Sequence, residues 1–208
     1  MSNTQHSTSV NKPLMLRWLS AMFARELTPE DIRSYRSGQG KAFLDAWHDT
    51  MPEADELARL EKKLNGPETP EDAALEFASA FSWLFHGVGG PKAAPTHQHD
   101  WSEDSDGTQM RCVAQCEQLM AACGIGPSQE SGESADHVST QLEFLGFLEE
   151  KSVSEADGPW DEYRARLLRE HVQPWLPHFL EACERNDRNG LYSTLARLTR
   201  QVLPECRN

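Results

Sequence analysis

His97 and His99 are separated by one residue, and Cys112 and Cys116 follow at a four-residue interval, so this stretch offers two imidazoles and two thiols, all zinc-compatible donors. Cysteines at i,i+4 share a helix face and could hold one ion if a loop carried the imidazoles over. The same cysteines have a plainer reading. Cys112, Cys116 and Cys123 fall in one stripe with Leu119 and Met120, where a free cysteine acts as a small buried hydrophobe, and the short C-x2-C spacing of structural zinc sites is missing. A second grouping, Asp136-His137, sets a carboxylate beside a titratable imidazole at the opening of an apolar helix. Neighbours on a helix point about 100° apart and form no acid–base dyad by themselves. The third, Phe81-Ser-Trp-Leu84-Phe85-His-Gly87, joins an aromatic helix end to a Gly/Pro loop running to Pro95. The second and third groupings together predict a recognition groove. No G-x-S-x-G, P-loop or H-E-x-x-H is present, and Gly87, Gly89 and Gly90 follow a helix instead of a strand. The chain is therefore expected not to be an enzyme, with no catalytic residue, no metal ligand and no cofactor of its own assigned. A zinc-binding helical protein using His97, His99, Cys112 and Cys116, or a structural helical adaptor, are the competing readings.

Helical periodicity must position these groups. Leu14, Trp18, Ala21 and Met22 begin the first apolar stripe, widened by Met15, Leu19 and Phe23. Thr28-Pro-Glu-Asp31 and Thr69-Pro-Glu-Asp72 are two helix starts, each with an N-cap hydroxyl, a proline at the first helical position and acids in the first turn. Between them, Phe43 and Trp47, then Leu57, Leu60 and Leu64, predict two short helices. The second start launches Ala74, Phe77, Ala78, Phe81, Leu84 and Phe85, and the glycines followed by Pro91 end that helix. An irregular segment of about twenty residues to Thr108 is longer than most connections in a compact domain. The cysteine-bearing helix ends at Gly124, and a polar linker follows. Later stripes comprise Val138, Leu142, Leu145 and Leu148, then Tyr163, Leu167 and His171, interrupted by Pro174 and Pro177. The last, after Asn189-Gly190, holds Leu191, Leu195, Leu198 and Val202.

No alternating strand pattern stands out, so the expectation is an all-α bundle of roughly eight to ten helices in two closely associated halves. These are residues 1–124 and 135–208, joined by a hinge over 125–134. The 33 acidic against 20 basic residues leave a net charge of −13, which disfavours nucleic acid and anionic lipid and favours a cationic partner. The polar start and the Arg17-interrupted first apolar run predict neither a secretory signal nor a membrane span. Five cysteines without an export signal predict a reducing, cytoplasmic setting.

Taken in order, these segments resemble the TorD/DmsD family of redox-enzyme maturation chaperones. The family's aromatic-x-x-Leu-Phe helix end reads Phe81-x-x-Leu84-Phe85 here, its Gly/Pro loop runs from Gly87 through Pro91 to Pro95, and its acidic Asp-His motif reads Glu133-Ser-Ala-Asp136-His137, followed by Gln141-Leu-Glu143-Phe-Leu145. His171-Val-Gln-Pro174-Trp175 is similar to the family's His-x-x-Pro-Trp helix, and Trp18–Leu27, Gly190–Leu195 and Glu205-Cys206 look like the TorD branch. The resemblance implies an all-helical chaperone of the cytoplasm that binds the twin-arginine signal peptide and apoprotein of a molybdoenzyme, in this branch trimethylamine N-oxide reductase. It would hold that client back from export until molybdopterin, a cofactor of the client, is inserted. It also implies peptide-binding roles for Phe81, Leu84, Phe85, Gly87, Pro91, Pro95, Asp136, His137, Glu143 and His171, and a monomer or domain-swapped dimer. Phe81 stands where the family usually has Tyr or Trp, and Thr96-His97 replaces its usual second proline and bulky residue.

Overall fold

Capping chemistry decides where the helices begin. The computed structural model describes residues 10–51, 55–102, 108–126 and 132–203; most of the expected hinge, and Glu205-Cys206, lie outside the described residues. Helix α1 (Lys12–Ala24) starts where the Asn11 side chain accepts the Leu14 N–H at 3.1 Å. Both Thr-Pro-Glu-Asp segments start helices, α2 (Pro29–Ser37) and α5 (Pro70–Phe85), with Thr28 and Thr69 accepting the N–H three residues on. At the first of these, Asp31 returns the bond to the Thr28 N–H and closes a capping box. Between them stand the two expected short helices, α3 (Gln39–Thr50) and α4 (Asp55–Leu64).

Helix α6 (Thr108–Ala122) carries the cysteines, and α7 (Val138–Ser154) follows the Asp-His pair. Helix α8 (Trp160–Leu167) runs into a π turn over Leu168–Val172, closed by the Gln173 N–H on the Leu168 carbonyl at 2.8 Å. Pro174 and Pro177 break the chain there as their missing donors require, and α9 (Leu176–Asn186) restarts with Pro177 in its first turn. Gly190, at φ +88°, supplies the left-handed corner before α10 (Leu191–Val202).

These ten helices form an all-α bundle, and none among the described residues is long and apolar enough to cross a membrane. Helix α1 lies along α7, and the crossing is close because residue 146 is glycine: a Cβ there would come within 3.1 Å of the Pro13 carbonyl. One continuous apolar core joins Leu16, Leu19 and Phe23 of α1 to Leu142 and Leu145 of α7, Phe179 of α9 and Leu195 of α10, so residues from both sides of 125–134 share it. Burying each such Leu or Phe contributes about 1.5–3 kcal/mol. Edge and stacked ring contacts run from Phe23 to Phe179 (5.4 Å), Phe179 to Phe85 (5.8 Å) and Phe85 to Tyr192 (4.9 Å), tying the end of α5 to three other helices.

Candidate functional site

The site begins where α5 stops. His86 caps the helix, Gly87 turns the chain at φ +73°, and the Gly89 N–H returns to the Trp83 carbonyl at 2.9 Å. Only glycine fits at 89, because a Cβ would meet that carbonyl at 2.6 Å. A single 3-10 turn over Gly90–Lys92 follows, and the Ala94 N–H then binds the Leu84 carbonyl at 2.7 Å, stitching the loop onto the helix end. Pro95 is held from the far side, its carbonyl accepting the Trp101 indole N–H at 2.9 Å.

Beyond Pro95 the loop meets the entry to α7. The Gln98 N–H donates to the Asp136 carbonyl at 3.0 Å and the Val138 N–H to the Thr96 carbonyl at 2.8 Å, making an isolated antiparallel bridge between His97 and His137. Those two bonds flank the histidines, which are therefore a non-hydrogen-bonded pair, the kind whose side chains approach most closely. Their rings lie 4.9 Å apart. His137 is the N-cap of α7, its Nδ1 accepting the Ser139 N–H at 3.2 Å, with the Ser139 hydroxyl at 2.7 Å. Burial pushes the His137 imidazole down to about 4, helped by the nearby His97 and opposed by Asp136.

Asp136 precedes the cap, so it is not a first-turn acid complementing the helix dipole; α7 has no acid in its first turn. Its carboxylate is fully buried and accepts the Ser134 hydroxyl at 2.5 Å and the His99 ring at 2.6 Å. Burial works to raise the Asp136 carboxyl, and these bonds from Ser134 and His99 outweigh it, holding the group below its ordinary value.

Between the helix end and the bridge opens a cleft of about 200 Å³, with Ala24, Phe81, Phe85 and Pro95 offering apolar surface and His86, His97, His137, Asp100 and Glu133 polar groups. Phe81, Phe85, Pro95 and His137 thus come together. Leu84 lies beneath, wholly buried, and Gly87 and Pro91 are exposed on the loop outside the cleft lining. His171 sits behind the bridge: its Nδ1 is 3.2 Å from the Gln98 Oε1, which also accepts from Gln141. Glu143 is elsewhere, exposed beside a separate hollow with Arg17, Phe144 and Phe147. Sequence reasoning assigned no role in the cleft to Ala24, His86, Asp100 or His97. The replacement of a bulky residue by His97 was the signal available for the last.

The proposed four-donor zinc set is not assembled. His99 is engaged by Asp136, while Cys112 and Cys116 are buried, and burial pushes the Cys116 thiol up to about 12. Among the described residues, the ligand atoms that do gather, within 4.8 Å of one another, belong to His97, Glu133 and His137.

A family model described as the nitrate reductase delta subunit matches residues 48–181, a span that contains the loop, the bridge and the π turn. The chain is also 31% identical over 186 residues to the chaperone protein TorD of Vibrio cholerae serotype O1, covering 87% of this chain and 83% of that one. The chain belongs to the TorD family. Other TorD proteins agree at similar depth: that of Aliivibrio salmonicida is 29% identical over 86% of this chain and 84% of its own, and that of Photobacterium profundum 28% over 87% and 85%. Membership of the TorD family makes the chain a system-specific redox-enzyme maturation chaperone with a molybdoenzyme client, not a catalyst. Phe81 and Phe85 of the helix end, Pro95 of the loop and His137 of the Asp-His pair line the cleft, with Leu84 buried beneath it.

Proposed function

We propose that this chaperone works in the cytoplasm, where it binds the twin-arginine signal peptide of trimethylamine N-oxide reductase and the apoprotein behind it, restraining export until molybdopterin is inserted. The observation that carries the reading is the composition of the cleft: Phe81, Phe85 and Pro95 on one side, Asp100 and Glu133 on another. Apolar surface of that kind takes a leucine-sized side chain from the peptide's hydrophobic stretch, and the carboxylates attract its arginines. Asp136 and His137 hold the far wall in place, with His171 behind them. Leu84, Gly87 and Pro91 shape the loop, whereas Glu143 would meet only a client surface extending along α7. The chaperone itself requires no cofactor in this role, and exchange of the C-terminal half through the 125–134 segment would account for dimers.

Calorimetric titration with the signal peptide, against a control with a scrambled apolar stretch, tests the proposal. Saturable binding lost on scrambling, and weakened at least tenfold by Phe85→Ala in a chain that still folds, is expected. Equal heats from both peptides would overturn it.

A further inference from the structure

The three ligand atoms gathered at the cleft come from segments far apart in sequence, and the backbone itself holds two of them together. His97 and His137 are opposed across the bridge with their rings 4.9 Å apart. Glu133 approaches from one turn earlier, its Oε2 3.7 Å from the His137 Nε2. Two ligands on a tetrahedral zinc ion, at bond lengths of about 2.0–2.1 Å, stand about 3.4 Å apart. Little contraction is needed between Glu133 and His137, whose atoms are 3.7 Å apart, and Glu133 and His97 are both only partly buried.

The other neighbours fit the same use. Metal on the His137 Nε2 places the ring proton on Nδ1, where the Ser139 hydroxyl at 2.7 Å can accept its hydrogen bond in exchange for the 3.2 Å cap bond from the Ser139 N–H. Asp100, whose Oδ2 lies 3.9 Å from the His97 Nδ1, lines the same cleft and adds negative charge against the unfavourable end of the α7 dipole.

We propose that His97, Glu133 and His137 form a binding site for a zinc-class divalent ion. Two imidazoles and one carboxylate favour a borderline ion over magnesium or calcium, which prefer all-oxygen shells, and three protein ligands leave a coordination position open towards the cleft. This departs from the expectation of a chain without its own metal, and it does not depend on the peptide reading.

The test is titration of the tag-free, full-length chain with cobalt followed by absorption, and with zinc in competition with a chromophoric chelator. One ion per chain is expected, with a cobalt d–d band of nitrogen and oxygen ligation and no thiolate charge-transfer band. His97→Asn and Glu133→Gln, both at partly buried positions, should each weaken binding tenfold or more with unchanged melting of the metal-free protein, while Cys112→Ser/Cys116→Ser leaves it intact. Non-saturable uptake, retained affinity in either ligand variant, or a thiolate band overturns the site.

Discussion

At the scale of single residues, burial converts ordinary side chains into exacting ones. Asp136 has no solvent to replace the bonds it receives from Ser134 and His99. Asp136→Asn keeps the shape and removes the charge, placing an amide where two donors require an acceptor. A loss of about 1–3 kcal/mol is expected, read as a lowered urea midpoint at unchanged m-value. A drop in peptide affinity in this variant is meaningful only after that loss is known.

His171 sets a second residue-scale expectation. Burial holds its imidazole below the ordinary 6.5, with Arg166 pushing the same way and Glu170 and Asp136 opposing. The folded state keeps the ring neutral, while the unfolded chain takes a proton as pH falls through 6.5. The contribution is therefore present above pH 6.5 and is lost as pH falls towards the folded value. Unfolding free energy measured in chelator should decline over that window, and His171→Gln should reduce the slope without abolishing it, because His137 acts with the same sign.

At the scale of elements, the α1–α7 crossing depends on Gly146. A Cβ at 146 would press on the Pro13 carbonyl at 3.1 Å and on Arg17 and Leu16 beyond it. Gly146→Val adds two more carbons to that contact and should cost about 1–3 kcal/mol despite replacing a helix-interior glycine, a change that thermal unfolding will register. At the other end of α1, Phe179→Ala would empty the centre of the aromatic chain that reaches Phe85, with an expected loss of about 3–5 kcal/mol.

Much of the element plan is legible in the chain because its signals are local. The repeated Thr-Pro-Glu-Asp starts, the Gly87–Pro91 stop and the prolines at 174 and 177 all act within a turn of themselves, and helices begin and end there. The cleft is legible only in part. Phe81, Phe85 and Pro95 announce themselves as a helix end and its loop, whereas the pairing of His97 with His137 spans forty positions and leaves no periodic trace. Gly146 gives no sign either, since an isolated helix glycine looks the same whether a neighbour crosses it or not. The four-donor zinc reading failed although the His97 and His99 rings lie 5.3 Å apart, because Asp136 engages His99 and both Cys112 and Cys116 are buried.

At the scale of the whole molecule, a net charge of −13 acts on partners before contact. Raising ionic strength from about 0.01 M to about 0.15 M shortens the screening length from about 30 Å to about 8 Å. A cationic signal peptide should then associate roughly tenfold more slowly in stopped-flow mixing, with little change in its dissociation rate, because the apolar anchor at Phe81 and Phe85 is not screened.

The π turn after α8 carries a consequence for how such chains diverge. It holds one residue more than an α-helix of equal advance, and Arg169 and Glu170 within it are exposed, so deletion of either would restore a regular ladder. The chain from Pro174 onward would keep its place, since an α-helix of equal advance needs one residue fewer, but His171, inside the turn, would be re-aimed away from Gln98. In an alignment that event is a one-residue gap in a surface stretch; in the folded protein it withdraws the support behind the His97–His137 bridge. The length of this turn, as much as the residues that fill it, therefore decides whether the bridge keeps its support.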